Sequence, residues 1–214
     1  MKFLLTSAGL TNEYISKALI ELVDKPKEEV TFLFIPTAAN LETGDKSWLE
    51  ENITQFRRQG FRSVEIIDIA IEPKENIKVY FESADIICFG GGNEQYLAKV
   101  MEDVNIKEYL KDQVYVGISA GSMVAGKFIG QELMKSVYPE EIYEQLGQPL
   151  SLVDICFIPH LNSEWFTRVR KENLERLKPS FKNVVYSTDD ETALRIEGGE
   201  ISIVGKGEYW VSNA

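Results

Sequence analysis

The sequence predicts an α/β protein: a three-layer sandwich in which helices cover both faces of a mainly parallel central sheet. Apolar runs of strand length alternate along the chain with amphipathic stretches of helical period. The strand runs are continuously apolar, which is typical of a sheet buried on both faces, and repeated strand–helix units favour parallel strands. A length of 214 residues fits one domain, residues 1–214.

The amino-terminal half carries the clearest strand–helix alternation. In chain order its first five predicted elements read KFLLTS, TNEYISKALIELVDK, VTFLFIPT, KSWLEENITQFRRQG and SVEIIDI. The strand ADIICFGGGN then runs into the helical stretch NEQYLAKVME, and VYVGISAG runs into a helix that begins near Gly121. Both of these junctions are rich in glycine, and ligands of such sheets bind at the carboxyl ends of the strands.

The carboxyl-terminal half is less regular. Residues 130–149 form a charged stretch without a clear period, and the strand LSLVDICFIPH follows it. We expect a helix from about Ser163 to Leu177 and then the strand VVYSTDD. The dipeptide Gly198-Gly199 between TALRIE and EISIVG predicts a tight hairpin, which adds antiparallel strands at the end of the sheet.

Composition excludes several classes of function. The hydrophobic fraction of 44% and the charged fraction of 27% are typical of a soluble globular protein. A net charge of −11 repels nucleic acid and anionic membranes, and the apolar runs are too short to span a bilayer, so we expect neither partner. With no signal peptide evident, the expected location is cytoplasmic.

The two cysteines do not indicate a disulfide or a metal site. Cys88 and Cys156 each lie in an apolar strand run, where a free cysteine usually behaves as a small buried hydrophobe. The chain has one histidine and no cluster of ligands at metal spacing, so we expect no metal and no other cofactor.

The stretch GISAG, residues 117–121, follows the apolar run VYV and precedes a predicted helix. This Gly-x-Ser-x-Gly pattern is what a nucleophile elbow needs, because small flanking residues let the backbone turn sharply and expose the hydroxyl of Ser119. The next amide, that of Ala120, would face a developing oxyanion. Small residues at an ordinary strand-to-helix turn give the same pattern, so the motif needs supporting residues.

His160, in FIPHLN, is one such residue. A serine hydroxyl is a weak nucleophile until a base removes its proton, and imidazole suits that task near neutral pH. His160 is the only histidine and follows a strand, as Ser119 does, so we pair the two as nucleophile and general base.

The run Gly90-Gly91-Gly92-Asn93 also follows an apolar strand. Glycines let backbone amides approach a ligand closely, so an amide here could join that of Ala120 in an oxyanion hole. A phosphate-binding loop is the alternative, but the run lacks both G-x-G-x-x-G spacing and a G-K-[ST] ending.

Together, the motifs FGGGN, GISAGS and IPH resemble those of the dipeptidase E (α-aspartyl dipeptidase) and cyanophycinase family of serine peptidases. The resemblance implies a class I glutamine amidotransferase-like, flavodoxin-like fold. It implies that Ser119 is the nucleophile, His160 the general base, and Gly91 with Ala120 the oxyanion donors. Glutamine amidotransferases carry cysteine at the elbow, so serine argues against that activity.

The third member of a triad is harder to assign. The resemblance implies an acid about fifteen to eighteen residues after Ser119, but residues 134–137 read MKSV and contain none. Glu132 is the nearest candidate, and a Ser–His dyad is the alternative. Four more distant acids are Glu140, Glu141, Asp154 and Glu191. The cluster Asp189-Asp190-Glu191 before TAL is interpreted as a charged loop at a strand end, with a functional acidic cluster as the alternative.

The expected function is hydrolysis of small peptides by a serine peptidase, monomeric or homodimeric, with aspartyl dipeptides as one substrate class. Arg168 and Arg170 could bind an aspartyl carboxylate, but a solvated helix face is the favoured interpretation of their spacing. Hydrolysis of esters or isopeptides, and ligand binding without catalysis, are the alternative functions.

Overall fold

The structure is a computed structural model that describes residues 1–139 and 147–212. The strands are β1 Lys2–Thr6, β2 Thr31–Ile35, β3 Ser63–Ile66, β4 Ile86–Phe89, β5 Val114–Ile118, β6 Cys156–Ile158, β7 Val185–Thr188, β8 Thr192–Glu197, β9 Glu200–Gly205 and β10 Tyr209–Val211. The α-helices are α1 Glu13–Val23, α2 Ser47–Arg57, α3 Lys74–Ser83, α4 Glu94–Asp103, α5 Ala120–Ala125, α6 Gln131–Val137 and α7 Lys171–Leu177.

The predicted mainly parallel α/β sheet is confirmed. Seven strands lie in the order β3-β2-β4-β5-β1-β8-β9, and the first five pair in parallel. The antiparallel strands β8 and β9 form the predicted hairpin, with Glu197 opposite Glu200. Gly198 and Gly199 between them both have positive φ, 61° and 85°, as a two-residue turn of this kind requires.

Both faces of the central sheet are buried, which explains the continuously apolar strands. Successive residues of a strand point to opposite faces. On β1 and β2, Leu5 and Leu33 therefore join one buried cluster, while Leu4 and Phe34 join another on the opposite face. Each such side chain contributes about 1.5–3 kcal/mol to the free energy of unfolding, so a polar residue on either face would be costly.

A second, three-stranded sheet was not predicted. Its order is β10-β7-β6, with β6 parallel to β7 and β10 antiparallel to β7. Phe157 and Val185 of this sheet belong to the same buried cluster as Leu5 and Phe89 of the central sheet. The small sheet therefore packs on the large one, and its carboxyl ends lie beside the carboxyl end of β1.

The expected helix from Ser163 to Leu177 is wrong in its first half, because α7 begins only at Lys171. Residues 161–170 form a loop closed by a backbone hydrogen bond of 2.7 Å from the Asn162 amide to the Val169 carbonyl. The apolar residues that suggest a helical period include Phe166, whose ring packs on the imidazole of His160 instead.

Two further differences concern helices. Helix α3 was not assigned from the sequence, and α6 lies in the stretch described as lacking a period. Residues 140–146 are outside the described residues, and with them Glu140 and Glu141. Within residues 1–139 and 147–212, every helix is too short or too polar to cross a membrane.

Candidate active site

Ser119 lies on a sharp turn between β5 and α5, with φ 46° and ψ −109°. A positive φ is costly for a residue other than glycine and marks strained backbone. The flanking glycines permit this turn. A Cβ on Gly117 would lie 2.6 Å from the Ser122 amide nitrogen, and one on Gly121 would lie 2.0 Å from the Phe89 carbonyl oxygen. The Gly-x-Ser-x-Gly pattern thus follows from tight packing on the neighbouring helix and strand.

His160 follows β6 and reaches Ser119 from the smaller sheet. Its Nε2 lies 3.1 Å from the Ser119 Oγ, within hydrogen-bond distance. The Phe166 ring stacks on the imidazole at a centroid distance of 4.6 Å and an interplanar angle of 16°. The side chain of His160 is only 15% exposed, so packing restricts the ring to this orientation.

Asp190 completes the row of side chains. Its Oδ1 lies 2.7 Å from His160 Nδ1, on the far side of the ring from Ser119. Asp190 comes two residues after β7, in the turn that leads to β8. A carboxylate on Nδ1 fixes the imidazole tautomer that leaves Nε2 free to accept a proton.

The structure therefore corrects the candidate third member, Glu132. That residue lies in the first turn of α6, its side chain is 88% exposed, and it pairs with Lys135. Asp154 pairs with Lys127, and Glu191 pairs with Lys206. The acid that contacts His160 comes after the histidine in the chain, so a search between Ser119 and His160 misses it.

A signal for Asp190 was present in the sequence. The cluster Asp189-Asp190-Glu191 directly follows a strand, as the other candidate residues do. Parallel strands bring residues at their carboxyl ends together. Because β6 and β7 are parallel neighbours, His160 and Asp190 come close to each other.

Two backbone amides lie next to Ser119 without a hydrogen-bond acceptor among the described residues. Within the described part of the chain, the amides of Gly91 and Ala120 donate no hydrogen bond to a protein acceptor. A Cβ on Gly91 would lie 3.5 Å from the Ser119 Cβ, so this loop passes directly beside the serine. The next residue, Gly92, has φ 126° and leaves no room for a side chain against Ala38. The glycine run thus serves close packing.

Other nucleophilic groups near the turn are unavailable. Cys88 on β4 is fully buried, and burial raises the pKa of its thiol well above the ordinary value. The Ser122 hydroxyl donates to the Thr6 carbonyl at 2.8 Å and accepts from the Thr6 amide at 3.0 Å. Ser119 is therefore the hydroxyl with a base beside it.

The two arginines considered for substrate binding lie on the loop before α7. Arg168 is exposed, while Arg170 is partly buried. The Arg170 Nη1 donates to the carbonyls of Phe166 and Val169 at 3.3 and 3.2 Å. Arg170 thereby fixes the loop segment whose phenyl ring packs on His160.

Comparison with known proteins assigns the chain to a family. The sequence profile described as peptidase family S51 matches residues 3–204. An uncharacterised peptidase of Listeria innocua is 26% identical over 174 residues, which cover 78% of this chain and 81% of that protein. Peptidase E of Haemophilus influenzae is 30% identical over 141 residues, or 61% of this chain and 62% of the relative.

Two crystal structures share the fold. One, from Listeria monocytogenes EGD-e, is of a protein proposed to be a peptidase E; it has a TM-score of 0.73, 22% identity, and covers 96% of this chain and 98% of that one. A peptidase from an acI-B1 actinobacterium has a TM-score of 0.67, 20% identity, and covers 99% and 90%. With a profile match over nearly the whole length, the chain belongs to peptidase family S51 and is a serine-type peptidase.

Proposed function

We propose that this protein hydrolyses small peptides through a Ser119–His160–Asp190 triad and an acyl-enzyme. The observation that carries the proposal is the continuous row from the Ser119 Oγ to His160 Nε2 at 3.1 Å and from His160 Nδ1 to Asp190 at 2.7 Å. That row is the arrangement in which a weak hydroxyl nucleophile is activated by an oriented base.

The steps follow from the positions of the atoms. His160 Nε2 accepts the Ser119 proton as the oxygen attacks the scissile carbonyl, and Asp190 stabilises the imidazolium that forms. The carbonyl oxygen becomes an oxyanion and binds the free amides of Gly91 and Ala120. The imidazolium then protonates the leaving amine, and the acyl-enzyme remains. A water, deprotonated by His160, attacks the ester; the bond from the acyl carbon to the Ser119 Oγ breaks, His160 returns the proton to that oxygen, and the acid product leaves.

The substrate class is proposed from the names of the relatives and from the loop beside His160. Relatives of this chain carry the name peptidase E. Peptides with an amino-terminal aspartate are the first class to test, because the exposed Arg168 lies on the loop that contacts His160 and a guanidinium can bind a carboxylate in two places. We further propose a single domain, residues 1–214, that acts in the cytoplasm.

The alternative of ligand binding without catalysis is not proposed. It depended on the lack of an acid at residues 134–137, and the carboxylate of Asp190 on His160 removes that reason. Hydrolysis of an ester or an isopeptide uses the same groups, so substrate profiling distinguishes these reactions.

The test is a mass-spectrometric assay of a mixed dipeptide and tripeptide pool, with α- and β-aspartyl members and simple esters. We expect the wild type to cleave α-peptides and Ser119→Ala to cleave none, with thermal unfolding unchanged. Ser83→Ala is the matched control, since Ser83 is an exposed residue at the end of α3. Cleavage by Ser119→Ala at the wild-type rate would contradict the proposal, as would cleavage of esters alone.

A further inference from the structure

We propose that the loop after β1, residues 7–12, is a positioning device that holds His160 and Asp190 in line with each other. The inference depends on the proposed triad, and it assigns positioning roles to Ser7 and Thr11. Neither residue contacts Ser119 in the hydrogen bonds of the described chain, so both act through other residues.

Ser7 holds the histidine. The backbone amide of His160 donates to the Ser7 Oγ at 3.0 Å, and the same hydroxyl donates to the Thr188 carbonyl at 2.8 Å. Ser7 is 1% exposed, so water does not compete for these bonds. One hydroxyl therefore links the backbone of His160 to the end of β7, two residues before Asp190.

Thr11 and Asn12 hold the acid. The Thr11 hydroxyl donates to the Asp190 carbonyl at 2.7 Å, and the Asn12 Nδ2 donates to the Glu191 carbonyl at 2.9 Å. The Asn12 Oδ1 accepts hydrogen bonds from the backbone amides of Tyr14 and Ile15, in the first turn of α1. Asn12 thus links the segment after Asp190 to the start of this helix. The backbone that follows the Asp190 side chain is thus fixed from this loop.

The loop is itself anchored. The Gly9 amide donates to the Thr6 Oγ1 at 3.0 Å, and the Leu10 amide donates to the Gln55 Oε1 on α2 at 2.8 Å. Leu10 is buried, and a Cβ on Gly9 would lie 2.6 Å from the Gln55 Oε1. A loop held by α2 and by the end of β1 can fix the position of other segments.

Such a device matters because the carboxylate of Asp190 has few contacts of its own. The Asp190 side chain is 42% exposed, and within residues 1–139 and 147–212 its carboxylate has one hydrogen-bond partner, His160. His160 has a positive φ of 65° and lies on a loop. Misplacement of a catalytic group by about 1 Å can reduce turnover about 100-fold, so the backbone of both segments must be fixed.

The key experiment compares Thr11→Val with Thr11→Ser. Valine keeps the shape of threonine but cannot donate to the Asp190 carbonyl, whereas serine keeps the hydroxyl. We expect Thr11→Val to reduce kcat about 10-fold to 100-fold with little change in KM, and Thr11→Ser to retain activity. Thr31→Val is the matched control for a loss of stability alone, because the Thr31 hydroxyl proton is shared by the Ser83 carbonyl at 2.6 Å and the Asp85 carboxylate at 2.9 Å, at the amino ends of the strands.

A second readout does not depend on turnover. His160 is the only histidine, so proton NMR of the untagged protein reports one imidazole. We expect the wild type, Thr11→Ser and Thr31→Val to show a low-field Nδ1 proton bonded to Asp190, and Thr11→Val to show it broadened or shifted. Ser7→Ala should act in the same way if it folds.

The outcomes separate the two proposals. A wild-type resonance and wild-type kcat in Thr11→Val would overturn the positioning role. An altered resonance in Thr11→Val, in a protein that cleaves no peptide, would support the positioning role and contradict the proposed function. Equal losses in Thr11→Val and Thr31→Val would show that only stability was affected, and would also overturn it.

Discussion

Asp190 follows the carboxyl end of β7, Asp85 precedes the amino end of β4, and the two carboxylates have very different surroundings. The Asp85 carboxylate accepts hydrogen bonds from the Thr31 amide at 2.8 Å, the Thr31 hydroxyl at 2.9 Å and Lys25 at 3.1 Å. Among the described residues, Asp190 at the carboxyl edge has His160 alone as partner of its carboxylate.

The difference indicates what each carboxylate contributes. Asp85 links two neighbouring strands with three donors, and such a saturated carboxylate has little left to offer a ligand. The oxygens of Asp190 have one partner, its side chain is more exposed than that of Asp85, and its backbone is fixed from a separate loop. We infer that the first carboxylate serves stability and the second serves chemistry.

Asp190→Asn gives the largest expected effect. An asparagine at this place keeps the shape of the side chain but no longer stabilises an imidazolium or selects the correct tautomer. Turnover should fall by about 10³–10⁴-fold, while the melting temperature changes little. Steady-state kinetics on the best peptide of the substrate pool, together with thermal unfolding, measure both quantities.

Glu132→Gln is the control for this prediction. Glu132 is exposed on α6, so its substitution should leave kcat/KM unchanged. A loss of turnover in Glu132→Gln that equals the loss in Asp190→Asn would remove the special role of Asp190 and reopen the assignment of the acid.

These residues also show how far the sequence could predict the site. Ser119 and His160 were assigned because each follows a strand and belongs to a local pattern that a reader can recognise. Asp190 also follows a strand but belongs to no recognisable motif. Its contact with His160 depends on β6 and β7 being parallel neighbours in a second sheet, which strand periodicity does not reveal. The parallel order of the central sheet was predictable because strands that are buried on both faces have continuously apolar sequences.

The helix expected from Ser163 fails for a similar reason. Phe166 fits a helical period, but its ring packs on His160, and the extended backbone at Arg170 delays the start of α7. A contact with a residue from another element outweighs the local preference. The wrong helix boundary therefore lies in the segment that contacts the candidate active site.

Asp85→Asn should have the second largest effect, and on stability alone. The loss of a charge-assisted network reduces the free energy of unfolding by about 1–3 kcal/mol at pH 7, with kcat/KM unchanged. Burial acts to raise the pKa of Asp85, but the hydrogen bonds from Thr31 and the Lys25 charge outweigh it, so the pKa lies below the ordinary value.

The sign of the pH dependence follows. A carboxylate whose pKa is lowered by folding stabilises the protein above its unfolded pKa, and that stability is lost as the pH falls through the folded pKa. The difference between wild type and Asp85→Asn in urea titrations should therefore be largest near neutral pH and vanish in acid. A difference that grows in acid would contradict the assigned cause.

Glu94→Gln is the smallest expected effect and tests a carboxylate of a third kind. Glu94 lies in the first turn of α4 and is 4% exposed; burial and the nearby Glu42 carboxylate raise its pKa, although its own backbone amide and Gln95 act in the opposite direction. An acid whose pKa is raised by folding destabilises the protein as the pH rises above the unfolded value. Glutamine removes that cost, so at pH 7 the variant should melt about 2–4 °C higher than the wild type. Near pH 4 the two proteins should have the same melting temperature.

Glu102→Gln is the control, because Glu102 is exposed on the same helix; its melting temperature should equal that of the wild type at both pH values. A lower melting temperature for Glu94→Gln at pH 7 would contradict the prediction. It would mean that the Glu94 carboxylate stabilises the fold through a favourable contact, as the Asp85 carboxylate does.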